Sequence, residues 1–434
     1  MAGGEGLRVY VRRLTLVLAL ALLVAGCSKA SSPEPAKTSP PEATPPATAQ
    51  VDALPQGEAP VPDEYRALYA ELEEALNTFQ DYLAAHWDGA TGSTVFGAEL
   101  LVANGNRGDV LLQPVTMDAV RLYLDRMQGL GIGGVSVEIS YPLLRPDFPR
   151  SSDYLEFFRE VAQEVHRRGL KLLVESGPVF PDPQYSQVQV DFSGLTVETY
   201  FQTRSEQLQL IAREVRPDYL AIGGEPATET MLTGLTFSLA EYMAFVEETA
   251  DGIDRSSGIL VGAGTGTWED PQYLRAFIAS PSLDFVNIHV YPLRSPAADY
   301  LMRAVEMSEL ARANGKKLVM GEAWLYKASP MEVGGSYQEL FARDVYSFWE
   351  PLDSAFIEAI VGLGHYQRFE YVSLFWTNYF FSYLDYDATP RDLSRVELMN
   401  RANQAASRSI LAGTLSATGQ AFQQLLRGSP NTDN

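Results

Sequence analysis

The chain is 434 residues long and 46% hydrophobic, enough to bury one large core or two modest ones. Its 33 basic residues face 55 acidic ones, a formal net charge of −22. Such a surface repels a phosphate backbone, which argues against nucleic acid as a partner and favours neutral substrates over polyanionic ones.

Arg8, Arg12 and Arg13 precede an apolar run from Leu14 to Ala25. The run is too short to cross a bilayer, which takes ~20 apolar residues. Small residues close it, so residues 1–27 are expected to be a signal peptide. Val24-Ala25-Gly26-Cys27 resembles the lipobox of bacterial lipoproteins, and Cys27 is the only cysteine in the chain. The resemblance implies lipidation of Cys27, a membrane anchor, and an outward-facing place at the cell envelope. No second cysteine is left for a disulfide or a thiolate metal site. Residues 28–62, dominated by Pro, Ala, Ser, Thr and Glu, cannot bury a core and are expected to form an extended, disordered tether.

The texture changes at Asp63. Residues 63–87 have apolar side chains at helical spacing, with Asp63 as the expected cap. Strand-like runs then alternate with helical stretches. The runs occupy 93–103, 133–144, 171–180, 219–226, 258–264, 284–293, 317–324 and 371–381. Helices are expected at 115–129, 152–168, 195–215, 238–254, 270–280, 297–314 and 336–363, with closing helices after them. "HRRGLKLLVE" and "ARANGKKLVM" each set a glycine between a helix end and the next strand, as a helix C-terminus asks. Eight strand–helix units favour a single (β/α)8 barrel over an open doubly wound sheet. The glycine-rich "GAGTGTW" at 262–268 falls at the fifth strand and lacks dinucleotide-binding spacing. One barrel domain over 63–434 is the expected organisation.

Active sites of such barrels are built at the C-terminal ends of the strands. Strand four runs through "LAIGGEP" into Glu225, and strand seven through "MGEAW" into Glu322. A carboxylate at the mouth of a buried strand is costly unless something pairs with it or uses it. Strands four and seven lie across the mouth from each other, so two long carboxylates can converge on one bond. Glycosidic cleavage needs such a pair. On strand six, His289 and Tyr291 share one side by alternation. A Tyr291 phenol bonded to Glu322 would keep that carboxylate ionised and aligned.

Glu138 and Glu175, on strands two and three, are either interior ion-pair members with partners such as Arg145 or substrate contacts. Trp376 at strand eight and Trp324 at strand seven are core or rim aromatics; Trp376 is favoured as a sugar platform, and Trp324 is either a substrate contact at the rim or part of the core. Trp268, Tyr379 and Phe380 lie in loops, where they line outer subsites or simply pack. Of the four histidines (His86, His166, His289 and His365) only His289 falls at a strand end, which fits a barrel metallohydrolase badly. No metal and no cofactor are expected, and a monomer suffices.

This layout resembles the retaining (β/α)8 glycoside hydrolases of clan A. The resemblance implies Glu225 as acid/base with a raised pKa, Glu322 as the ionised nucleophile, His289 or Tyr291 beside it, and Trp376 under the sugar. It also implies a β-linked oligo- or polysaccharide as substrate, with β-mannan and β-galactan enzymes the nearest kin. One position departs from the pattern: the clan usually places Asn before the acid/base to hold the sugar 2-hydroxyl, and here Gly224 stands there. Another side chain, such as Glu138, Glu175 or His289, would have to hold that hydroxyl. The competing class is a non-catalytic carbohydrate-binding or scaffolding lipoprotein on a glycosidase-like barrel.

Overall fold

The computed structural model describes residues 60–181, 186–291, 297–329, 332 and 337–428. Cys27 and residues 28–59 of the expected tether lie outside the described residues. Eight parallel strands close into a barrel in chain order: β1 Val95–Glu99, β2 Gly134–Glu138, β3 Lys171–Glu175, β4 Tyr219–Ala221, β5 Leu260–Gly266, β6 Phe285–Val290, β7 Lys317–Ala323 and β8 Tyr371–Leu374. Pairing of Val95 with Tyr371 and of Gly97 with Ser373 seals β1 to β8. Each strand overlaps an expected run.

The helices are α1 Arg66–His86, α2 Thr116–Leu130, α3 Ser151–Arg167, α4 Val197–Glu214, α5 Pro226–Thr233, α6 Leu239–Asp251, α7 Pro271–Ala279, α8 Ala297–Ala313, α9 Tyr337–Arg343, α10 Glu350–Gln367, α11 Arg395–Ala412 and α12 Ala417–Gly428. Their ends follow local chemistry. Gly169 and Gly315 adopt φ of 73° and 76° just past α3 and α8, a conformation that costs glycine nothing. Ser238 with Glu241 and Ser394 with Glu397 form reciprocal capping boxes on α6 and α11. α1 buries Leu72, Leu76, Phe79 and Leu83, one helical stripe, and packs on α8 and α10. No helix among the described residues is long and apolar enough to cross a membrane.

Two expectations need correction. Asp63 does not cap α1; it lies in a 3-10 turn, Asp63–Tyr65, and pairs with Arg66 at 2.5 Å. The helix expected over 336–363 is two, because Pro351 in the first turn of α10 has no N–H to give and would clash with the preceding turn of a longer helix. The eight-residue α5 was not foreseen, being too short for a period to show.

Inside the barrel, Leu173, Tyr219, Ala221, Phe285, Val319 and Tyr371 form an apolar plug separate from the layer between strands and helices. The Ser136 and Ser373 hydroxyls meet across the interior at 2.8 Å. At the C-terminal ends of the strands the inward positions are polar, among them Glu99, Glu138, Glu175 and Asn287. The plug makes this end a closed-bottomed cup, and the chemistry sits in it.

Candidate active site

The stretch Gly223-Gly224-Glu225 is shaped by what presses on it from two sides. A Cβ on Gly223 would strike the Tyr242 hydroxyl and come within 2.8 Å of Glu229. Behind it, Arg204 and Glu229 form an ion pair whose side chains are 0% and 3% exposed. The hydroxyls of Tyr200 and Tyr242 donate to Glu229 at 3.2 and 2.8 Å. Arg204 also donates to the carbonyls of Ser176 and Ile222, tying the end of β3 to the end of β4. A Cβ on Gly224 would lie 2.7 Å from Cε1 of His289. The place where the clan usually carries Asn is therefore closed by an imidazole ring. Glu225 follows as the N-cap residue of α5 rather than as the last residue of β4, whose regular pairing ends at Ala221.

Glu322 reaches the cup through an irregularity. On β6 the paired residues step from Asn287 to His289, while on β7 they step from Val319 to Glu322. β7 thus carries one extra residue, which turns Glu322 onto the face that Val319 occupies. Strict alternation from Val319 would have pointed it away.

His289 stands at the centre, 3% exposed. Its Nδ1 lies 2.8 Å from Glu225 Oε1 and 3.8 Å from Glu322 Oε2, and its Nε2 lies 2.9 Å from Glu175 Oε1. Tyr291 donates to Glu322 at 2.6 Å, Thr228 to Glu225 at 2.6 Å, and Asn287 to Glu175 at 2.6 Å. Glu225 and Glu322 therefore converge on a single nitrogen from opposite walls.

Burial disfavours an imidazolium, but the charges of Glu175 and Glu322 and the bonds to Glu175 and Glu225 outweigh it. His289 is held well above its ordinary pKa. Glu322 is held well above the usual carboxylate range, by burial first and then by Glu175 and Glu225; His289 and the Tyr291 hydroxyl pull the other way. The Tyr291 bond favours the ionised carboxylate, as expected, but burial and the like charges act against it. In the cup its like-charged neighbours and its desolvation prevail.

The other candidates are placed as follows. Glu138 pairs in register with Glu175 and accepts from the Gly177 amide at 2.7 Å; burial pushes it up to about 7. Neither takes Arg145, which binds Asp147 and Tyr141 instead. Trp376 is half-buried, with φ 42° and ψ 44°, a left-handed conformation costing a bulky residue ~1–3 kcal/mol. That backbone sets its ring 5.2 Å from Phe375 and 5.4 Å from Phe341. Trp268, also half-buried, tilts against Tyr291 at 5.7 Å. Trp324 is not at the rim: it is 1% exposed and stacked on Tyr379, and Phe380 is sealed in with them. These three rings are packed into the core and offer no open face to a ligand.

Sequence reasoning missed two groups, Asn287 and Glu269. Asn287 sits two residues before His289 on the same face and could have been found by alternation. Glu269, in the loop after β5, accepts from the Ala227 amide at 2.6 Å and from Thr265 at 2.7 Å. Glu99, which burial pushes up to about 8, holds Asn104 at 2.7 Å. Glu175, His289 and Glu322 also present ligand atoms within 4.8 Å of one another. A metal there would have to displace the protons that His289 shares with its carboxylates.

No protein-family model matches the chain, and no curated protein matches it in sequence. Solved structures do match. The exo-beta-1,4-mannosidase Op5Man5 from Opitutaceae bacterium strain TAV5 superposes with a TM-score of 0.50 and 16% identity, covering 78% of this chain and 60% of its own. The chain thus spans less than two thirds of that protein. GH5_18 from Bifidobacterium longum subsp. longum ATCC 55813 superposes with a TM-score of 0.51 and 14% identity, covering 78% of this chain and 80% of its own. At these identities the likeness is one of fold, and the chain shares the barrel architecture of these proteins.

Proposed function

We propose that the chain is a retaining glycoside hydrolase that cleaves β-linked glycans at the cell envelope, held there by lipid on Cys27 and by the tether of residues 28–62. The observation that carries the reading is the convergence of Glu225 and Glu322 on His289 Nδ1, with Tyr291 holding Glu322. In the first step the Glu322 carboxylate attacks the anomeric carbon, the glycosidic bond breaks, and Glu225 gives its proton to the leaving oxygen. Water then attacks the glycosyl-enzyme, Glu225 takes the water's proton, and Glu322 is released. Before the first step the proton must sit on Glu225 and be absent from Glu322. His289 Nδ1, 2.8 Å from Glu225 and 3.8 Å from Glu322, lies between the two carboxylates and is placed to pass the proton between them. Trp268, tilted against Tyr291, and Trp376 would supply flat aromatic surfaces for the sugar, and Glu138 an acceptor for its hydroxyls.

The test is hydrolysis of aryl β-glycosides and β-linked polysaccharides by residues 60–434, with β-mannosides first because one fold relative is named a mannosidase. The expected result is release of the β-anomer. Because Glu322 must be ionised to attack and is held up by burial and its neighbours, activity should rise with pH through an acid limb above the usual carboxylate value of about 4.3. Tyr291→Phe removes a bond that lowers the Glu322 pKa, so the limb should move further up. An ordinary acid limb unmoved by Tyr291→Phe contradicts the assignment. No hydrolysis, with sugar binding by calorimetry, would support the non-catalytic reading.

A further inference from the structure

We propose that Glu269 is a positioning residue for general-acid catalysis, clamping the segment that carries Glu225 so that its carboxyl stays aimed at the leaving oxygen. The inference rests on the reading of Glu225 as acid/base. Glu225 is the N-cap of α5, with φ −149° and ψ 85°, and its own side chain does not cap the helix. The next residue, Pro226, has no N–H, so the first free amide of the helix belongs to Ala227. That amide donates to Glu269 Oε1 at 2.6 Å. A carboxylate from a different loop thus does the capping that Glu225 forgoes, which leaves Glu225 free to face the cup.

The other oxygen, Oε2, is fixed to the end of β5 by the Thr265 hydroxyl at 2.7 Å and the Gly266 amide at 3.0 Å. Arg303 from α8 donates to the Glu269 carbonyl, holding its backbone as well. Glu269 is 5% exposed. One buried carboxylate therefore bridges the strand end of β5 to the helix start after β4, and Glu225 lies at that junction. Burial pushes Glu269 up to about 7, with the charge of Glu225 next in effect, so the two carboxylates are close enough to sense each other.

A clamp on the acid has a signature that a merely structural residue lacks. Glycosides with an excellent leaving group, such as 2,4-dinitrophenol, need little protonation of the departing oxygen; disaccharides and alkyl glycosides need it fully. Glu269→Gln keeps the shape but loses the charge and one acceptor. Its kcat/KM should fall roughly 10- to 100-fold on an unactivated β-glycoside and stay within about 3-fold of the parent on the dinitrophenyl glycoside of the same sugar. Equal losses on both substrates, or no loss on either, would overturn the proposal. Should Glu269→Gln fail to fold by circular dichroism, Thr265→Val removes one of the two donors to Oε2 with Glu269 in place, and a smaller loss confined to the unactivated glycoside is expected. A parent enzyme that hydrolyses neither substrate would defeat the acid/base reading itself, whereas a parent active on both, paired with an even-handed variant, defeats only the role of Glu269.

Discussion

Glu322→Ala should lower kcat/KM by about 10⁴- to 10⁶-fold on every β-glycoside that the parent cleaves, whatever the leaving group. A mechanism that passes through a glycosyl-enzyme has no first step without its nucleophile. Glu225→Ala should behave differently. Its loss should reach about 10²- to 10⁴-fold on unactivated substrates and be far smaller on a dinitrophenyl glycoside. Added azide, which needs no general base, should restore turnover of the activated substrate and yield a β-glycosyl azide. The contrast between the two variants, read by initial rates, separates nucleophile from acid/base. Similar modest losses in both would remove them from these roles. His289 bonds to Glu225 at 2.8 Å and links it to Glu322, so its removal should hurt both steps and does not separate the two roles.

The second large effect concerns stability. Arg204→Met should destabilise the folded protein by about 3–5 kcal/mol, measured as a lowered denaturation midpoint in urea. Both members of the pair are shut away from water, 0% and 3% exposed, so the change strands the Glu229 carboxylate in the interior. It also removes the donor shared by the Ser176 and Ile222 carbonyls. Activity of any folded fraction should fall too, because that donor ties the end of β3, which carries Glu175, to the stretch leading into Glu225. A shift below about 1 kcal/mol would mean that the pair is not the brace described. Gly223 makes the same argument from the other side: a methyl group there has nowhere to go except into Tyr242 and Glu229.

Much of the architecture is legible in the sequence, because parallel barrel strands are buried on both faces and read as apolar runs. Gly169 and Gly315 mark the ends of α3 and α8 where a left-handed residue is needed. Glu225 and Glu322 stand out as the only charges closing such runs behind a glycine. What was hidden depends on register and on contacts between distant segments. The extra residue in β7 decides that Glu322 faces inward, and nothing in "MGEAW" announces it. Glu269 is one of 55 acidic residues, and its role exists only because the β5 loop meets the start of α5. Glu175 bonds to Asn287 and His289, 112 and 114 residues further along the chain, so the like charge that pushes Glu322 up is invisible until the barrel closes. Gly224, which looked like a missing Asn, makes sense once the His289 ring is seen lying against it.

The measurement that tests the central claim most directly is covalent trapping. Residues 60–434 would be incubated with activated 2-deoxy-2-fluoro β-glycosides matching the sugars that the enzyme cleaves, then weighed intact and digested for peptide mapping. The account predicts one glycosyl group per chain, on Glu322, no adduct in Glu322→Ala, and prolonged lifetime of the adduct in Glu225→Ala. An adduct on a different residue, or brisk hydrolysis of the parent substrates with release of the α-anomer and no adduct at all, would contradict it.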